Sequence, residues 1–344
     1  MSVSRPRSKT PRNDSGSTLD GLPEADARAV ARWAEREARL VKPAGALGRL
    51  EDLGRWLAAW QGYPLKLRRP KVVVFAGNHG VARLGVSAFP AEVTVQMVAA
   101  FKQGGAAINQ ICRAQGIALR VVPLELARPT ADFTRAAAMT EAEFARAFAQ
   151  GGEAVRNTDL LVLGEMGISN TTAAAAICLA LYGGRAVDWV GPGTGVKGAA
   201  IERKRRVVAA AIARHRRHLS NPWEIMRRVG GRELAAIAGA VVAARRRRIP
   251  VVLDGFVATA AAAALARARP DALDHCVVGH VSAEPGHRRL LAKLGKPPLL
   301  DLGMRLGEAS GAALAVGLIR AAAACHSGMS TFEGANVSER RSSS

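Results

Sequence analysis

Asp159-Leu-Leu-Val-Leu-Gly-Glu-Met-Gly-Ile-Ser-Asn-Thr-Thr172, running on into Ala173-Ala-Ala-Ala-Ile-Cys-Leu-Ala-Leu181, reads as a buried strand, a small polar loop and a helix N-terminus. The apolar run is of strand length, and the Ala/Leu-rich segment after it has helix-forming composition. Free backbone N–H groups and the positive end of a helix dipole favour an anion such as phosphate at such a turn. Asn170, Thr171 and Thr172 add side-chain donors or a cap. Glu165 is the odd residue. A carboxylate is a poor choice for anion binding alone, so it suggests a substrate with a second, electron-poor or proton-donating part; the plainer alternative is a solvated loop residue.

The same alternation continues on both sides. Val72-Val-Val-Phe75, Ala118-Leu-Arg-Val-Val122, Ala186-Val-Asp-Trp-Val190, Val251-Val-Leu253 and Cys276-Val-Val278 are short, mostly β-branched runs, each near a helical pattern. With Leu160-Leu-Val-Leu163 they predict an α/β fold: a mainly parallel, Rossmann-like sheet with helices on both faces. Ligands in such sheets gather at the carboxyl ends of the strands. The unusual loops fall there: Ala76-Gly-Asn-His-Gly80, residues 164–172, Gly191-Pro-Gly-Thr-Gly195, Asp254-Gly-Phe256 and Gly279-His-Val-Ser-Ala-Glu-Pro-Gly-His287. Residues 66–304 therefore form the expected catalytic domain. Segments 23–65 and 305–332 are expected to pack together as a small helical subdomain, with a disordered basic extension over 1–22 and a polar tail over 333–344.

The chain has 344 residues, 49% of them hydrophobic, enough for a sizeable core. No run of 18 apolar residues occurs, which argues against a membrane span. Cys112, Cys178, Cys276 and Cys325 lack Cys-x-x-Cys spacing and read as reduced, structural thiols of a cytoplasmic protein. The net charge of +21 raises nucleic-acid binding, with Arg245-Arg-Arg-Arg248 and the clusters at 203–206 and 214–217 as its candidates. These clusters punctuate Ala-rich helical segments, and aromatic residues make up only 4%, so no specific nucleic-acid partner is expected. The glycines of 191–195 lack Gly-x-Gly-x-x-Gly spacing. His280, Glu284 and His287 look like a metal cluster, but Pro285 and Gly286 prevent the helix that would align them; a loop held by internal hydrogen bonds is the better reading, with no metal or cofactor.

Several motifs, taken in order, carry more weight than any one alone. They are Lys42-Pro-Ala-Gly-Ala-Leu-Gly-Arg-Leu-Glu-Asp-Leu53, Gly85-Val-Ser-Ala-Phe-Pro-Ala-Glu-Val-Thr94, Gly104-Gly-Ala-Ala-Ile-Asn109, residues 164–172, Gly193-Thr-Gly195, Asp254-Gly-Phe256, Ser282-Ala-Glu-Pro-Gly-His287 and Leu300-Asp-Leu-Gly-Met-Arg-Leu-Gly-Glu308. From about Val41 to Val337 the chain resembles the nicotinate-nucleotide:dimethylbenzimidazole phosphoribosyltransferase family. The resemblance implies transfer of a 5-phosphoribosyl group from nicotinate mononucleotide to 5,6-dimethylbenzimidazole in assembly of the cobalamin lower ligand. It also implies a homodimer acting on small molecules.

The family's general base maps onto Glu308, and its second glutamate onto Glu165. Ser87, Phe89, Pro90 and Gln96 match the stretch lining the benzimidazole slot, with Met166, Ile168, Leu306 and Gly307 as neighbouring wall. Gly167, Lys204 and Ser282 match phosphate contacts, and Asn170, Thr171, Gly193, Thr194 and Gly195 match the adjoining loops. On local pattern alone Glu308 is an ordinary glutamate at a helix N-terminus, Phe89 and Ile168 are core, and Lys204 is one more helix charge. The chain departs from the family at Asn78, where aspartate is usual, at Ser169, where glycine is usual, and at Pro192 and Lys197-Gly198. A non-catalytic nucleotide- or benzimidazole-binding sensor of the same fold is the alternative; it would keep the pocket and lose the base.

Overall fold

The computed structural model describes residues 18–338. β1 (Pro70–Ala76), β2 (Ala118–Pro123), β3 (Leu160–Met166), β4 (Val251–Leu253), β5 (Cys276–His280) and β6 (Pro298–Leu300) form one sheet of order β2-β1-β3-β4-β5-β6. Every neighbouring pair is parallel. Helices α1 (Ala27–Glu37) and α2 (Arg49–Gln61) precede the sheet, and α3 (Val93–Gln103) and α4 (Ala107–Gln115) lead from β1 to β2. α5 (Glu141–Ala154) leads to β3; α6 (Asn170–Tyr182), α7 (Ala199–His215), α8 (Pro222–Val229) and α9 (Arg232–Arg246) fill the passage to β4. α10 (Phe256–Ala268), α11 (Pro285–Leu294) and α12 (Ser310–Gly328) follow β4, β5 and β6.

Strands buried on both faces explain the unbroken apolar runs. Val73, Phe75, Leu161, Leu163 and Leu253 face a core shared with α6, α9 and α10. Val72, Val74, Leu160, Val162 and Val252 face the other, where Leu57 of α2, Phe101 of α3, Ile108 of α4 and Val316 of α12 pack. The N- and C-terminal helices α2 and α12 thus cover the sheet directly. α12 is the one helix among the described residues long and apolar enough to cross a membrane, and its Ala312, Ala313, Val316 and Ile319 are buried in this core.

Two strand assignments change. Residues 186–190 are not a strand: Ala186–Asp188 is a 3-10 turn, where the Asp188 carboxylate accepts the Arg185 N–H at 2.7 Å and the Trp189 indole donates to the Gly183 carbonyl at 2.8 Å. A side chain that bonds its own backbone competes with a sheet ladder and here displaces it. β6 is a further strand, placed at the sheet edge where its leading proline needs no ladder N–H.

The extension expected over 1–22 lies outside the described residues as far as 17. Residues 18–21 form a turn, and Leu19 and Leu22 are buried in the first core. Four arginines hold this segment by its carbonyls: Arg246 to Thr18 (3.1 Å), Arg269 to Leu19 (2.7 Å), Arg245 to Pro23 (2.7 Å) and Arg248 to Glu24 (2.7 Å). Part of the 245–248 charge run is therefore internal fastening. The tail expected over 333–344 is described only to 338, and Arg39 pairs with Glu333 there at 3.2 Å. All four cysteines are free thiols; burial pushes Cys112 up to about 11 and Cys276 up to about 12.

Candidate active site

The strand order reverses between β1 and β3, and at the carboxyl edge beside this switch lies a cavity of about 330 Å3. β3 and the turn after it supply Glu165, Met166, Gly167 and Ile168. The first turn of α6 supplies Asn170 and Thr171, the 191–195 loop Gly193 and Thr194, and the segment after β5 Ser282. Leu306, Gly307 and Glu308 close it from the segment after β6. Phe89 and Leu306 stand at its mouth, each more than half exposed.

Glu308 is 3% exposed, and its Oε2 has no hydrogen-bond partner among the described residues. Burial raises its pKa and the nearby charge of Asp254 adds to this, against the Ile108 backbone N–H. Glu308 and Ala309 both lie in the left-handed region, φ 63° and 68°, a conformation costing about 1 to 2 kcal/mol per residue. The surroundings impose it: the Glu308 N–H donates to the Glu165 carbonyl at 3.1 Å, and the Ser310 hydroxyl to the Gly307 carbonyl at 2.7 Å. Gly164 makes this possible, because a Cβ there would lie 2.2 Å from the Ala309 nitrogen.

Glu165 sits beside Glu308, held by the Asn170 side-chain amide. Burial first, then the charges of Asp254 and Glu233, drive its pKa well above the usual carboxylate range. Asn170 therefore does not cap α6, and no side chain does. Thr171 is also engaged, accepting from Lys204 at 2.8 Å; the same ammonium donates to the Gly191 carbonyl at 2.9 Å. Lys204 is fully buried behind Gly193 and does not line the cavity, and burial pushes it down to about 8, with Glu284 opposing.

The other sequence-predicted residues fall at or beyond the rim. The Ser87 and Thr194 hydroxyls lie 3.0 Å apart and join the 85–94 stretch to the glycine loop. Pro90 and Gln96 are exposed and do not line the cavity, whereas Val93 and Met97 on α3 do. Gly195 turns its loop, its N–H donating to the Pro192 carbonyl at 3.0 Å. Gly255, Phe256, Val257, His280, Glu284 and Arg305 are lining residues that residue-by-residue reading left unassigned. Their signal was position: all but Arg305 follow or end β4 and β5. His287 is committed internally, accepting the Ser282 N–H at Nδ1 (2.8 Å) with Nε2 3.2 Å from the Thr259 hydroxyl.

An apolar cavity lined by a buried carboxylate, a helix N-terminus and a hydroxyl suits transfer of a phosphorylated group to a ring bearing an acidic N–H. A family profile described as Phosphoribosyltransferase matches residues 22–337. The nicotinate-nucleotide–dimethylbenzimidazole phosphoribosyltransferase of Sinorhizobium medicae (strain WSM419) is 58% identical over 331 residues, 96% of this chain and 98% of that protein. The protein of the same name from Rhizobium etli (strain CIAT 652) is 60% identical over 329 residues, 95% and 97% of the two chains. A crystal structure of CobT from Thermus thermophilus superposes with a TM-score of 0.86 at 44% identity, covering 91% of this chain and all of the other. The chain belongs to the nicotinate-nucleotide–dimethylbenzimidazole phosphoribosyltransferase family.

Two of the departures from the family pattern have structural causes. Asn78 donates its amide to the Leu126 carbonyl at 2.9 Å, a bond an ionised aspartate cannot make. Ser169 has φ 78°, where glycine is at ease, and its hydroxyl is buried without a partner among the described residues. Ser169→Gly should therefore stabilise the protein by about 1 kcal/mol, relief of backbone strain and of the unpaired hydroxyl exceeding the added freedom of the unfolded chain. A rise of a few degrees in melting temperature is the expected reading; a fall would show that the hydroxyl is needed.

Proposed function

We propose that this chain transfers the 5-phosphoribosyl group of nicotinate mononucleotide to 5,6-dimethylbenzimidazole, giving α-ribazole 5′-phosphate and nicotinate in cobalamin lower-ligand assembly. The observation that carries the reading is the unpartnered Glu308 oxygen, buried at one end of the apolar slot. One benzimidazole nitrogen attacks the anomeric carbon as the bond to the pyridinium nitrogen breaks. The bonding pair leaves with nicotinate, whose cationic ring needs little help to depart, and the anomeric centre inverts. Glu308 takes the proton from the other ring nitrogen, and its raised pKa makes it a stronger base than a solvated carboxylate. Glu165 orients it through the Glu308 N–H bond and shares the acidic pole.

The 5′-phosphate is assigned to Gly167, Gly193, the Ser282 hydroxyl and the α6 N-terminus, all of which line the cavity, with Lys204 supporting Thr171 from behind. Incubation with nicotinate mononucleotide and a panel of lower-ligand bases, with products identified by mass spectrometry, tests the reaction. No phosphoribosylated base from any of them would overturn it. Ser282→Ala should raise KM for the nucleotide more than for the base, by about 10- to 150-fold, the range for loss of a hydrogen bond to a charged group, and Lys204→Ala should raise it indirectly by releasing Thr171 and the Gly191 carbonyl. Unchanged nucleotide KM in both would place the phosphate elsewhere. A homodimer accords with the exposed apolar side chains Phe89, Val95, Leu302 and Leu306, and light scattering of the purified protein checks it. Four unpaired cysteines accord with a cytoplasmic location.

A further inference from the structure

Glu284 has no part in the reaction as described, and it is an unexpected residue in an anion pocket. It lines the cavity from the N-cap of α11 and is 3% exposed. Its two oxygens differ. Oε1 accepts the Gly193 N–H at 2.7 Å, while Oε2 is buried with no hydrogen-bond partner among the described residues. Lys204, the nearest buried ammonium behind Gly193, has hydrogen bonds to Thr171 and Gly191 instead. Residue 191 must be glycine for this placement, since a Cβ there would lie 2.4 Å from Oε2 and 2.7 Å from the Pro285 ring. The carboxylate is thus locked, with one oxygen held by the protein and the other left for a donor to complete.

The chemistry of the substrates restricts what that donor can be. This step rests on the phosphoribosyl reading above. The phosphate and the nicotinate carboxylate offer only acceptors at neutral pH, and the pyridinium nitrogen has no hydrogen. The single N–H of the attacking base is used by Glu308. The ribose hydroxyls remain, and the 3′-hydroxyl is the nearer to the 5′-phosphate, whose end of the cavity Glu284 shares through Gly193. We propose that Glu284 Oε2 accepts a hydrogen bond from a ribose hydroxyl of the nucleotide, the 3′ in the first place, and is the residue by which the site selects ribose over deoxyribose.

The experiment crosses the side chain with the hydroxyl. Wild type and Glu284→Gln are assayed with nicotinate mononucleotide and with its 2′-deoxy and 3′-deoxy analogues; the glutamine keeps an oxygen for the Gly193 N–H and loses the charge. Removing either partner of a hydrogen bond to a charged group should lower kcat/KM by about 10- to 100-fold. The expected result is that one deoxy donor costs the wild type this factor, and Glu284→Gln costs it with the ribose donor but adds little with that deoxy donor. An equal loss from Glu284→Gln on all three donors, or none on the ribose donor, overturns the proposal in favour of a purely loop-holding role. If the wild type makes no product at all, the phosphoribosyl reading has failed separately, and calorimetry with ribose 5-phosphate, 2-deoxyribose 5-phosphate and 3-deoxyribose 5-phosphate decides the sugar contact. A wild-type preference for ribose 5-phosphate over either deoxy sugar that Glu284→Gln abolishes upholds it, and equal affinities overturn it.

Discussion

Glu308→Gln should leave both substrates bound and slow turnover by about 10² to 10⁴, the usual range for loss of a general base. The amide keeps the size and reach of the side chain but cannot take a proton near neutral pH. Because burial and the Asp254 charge raise the Glu308 pKa, the wild-type kcat/KM should fall as pH drops through a value above that of an ordinary glutamate. That acidic limb should vanish in the variant, whereas Glu165→Gln should cost less and leave it in place. Isothermal titration with each substrate, together with a pH–rate profile, separates binding from chemistry. Near-normal turnover with an unaltered profile in Glu308→Gln would remove this residue from the mechanism.

The second large effect is expected at a residue with no functional group. Gly164→Ala would set a methyl 2.2 Å from the Ala309 nitrogen and 2.5 Å from its Cα, both backbone atoms that cannot swing aside. The strand or the 307–309 segment must move. Overpacking of this kind costs about 1 to 3 kcal/mol, and a displacement near 1 Å of a catalytic group costs about 10²-fold in rate. We expect a melting temperature lowered by several degrees and kcat down by about 10²-fold in the folded enzyme, with nucleotide KM changed far less because Gly193 and Ser282, assigned to the phosphate, lie on other segments. A variant with wild-type kcat would mean that the segment can shift without carrying Glu308 with it.

Legibility in the sequence followed the range of the interactions. The 159–181 stretch was readable because strand, loop and helix are local, and the sheet's parallel character followed from Val- and Leu-rich runs alternating with helices. Residues 186–190 had the composition of a strand, but Asp188 bonds the backbone three residues back, and composition does not weigh such a bond. β6 is three residues long and begins with proline, too little pattern to detect. At the candidate site, Glu165 was conspicuous by its own chemistry, whereas Glu308 looked like a helix-start glutamate until the family resemblance singled it out. The Asn170 tie to Glu165, the Lys204 support of Thr171 and the unpartnered Glu284 oxygen depend on how separate segments meet. No spacing rule encodes those meetings.

The arginine clasp on residues 18–24 makes the segment before α1 part of the fold. Arg245 is 1% exposed, and besides the Pro23 carbonyl its guanidinium lies 4.1 Å from the centre of the Trp60 ring. A start at residue 26, just before α1, would remove one carbonyl acceptor from each of four guanidinium groups, leaving Asp271 to Arg245 and Arg269, and would uncover Leu19 and Leu22's share of the core. A recombinant protein or a protease-trimmed fragment that lacks residues 18–24 should therefore be less stable than one that keeps them. The helix that opens the secondary structure is not the first part of the chain that the fold requires.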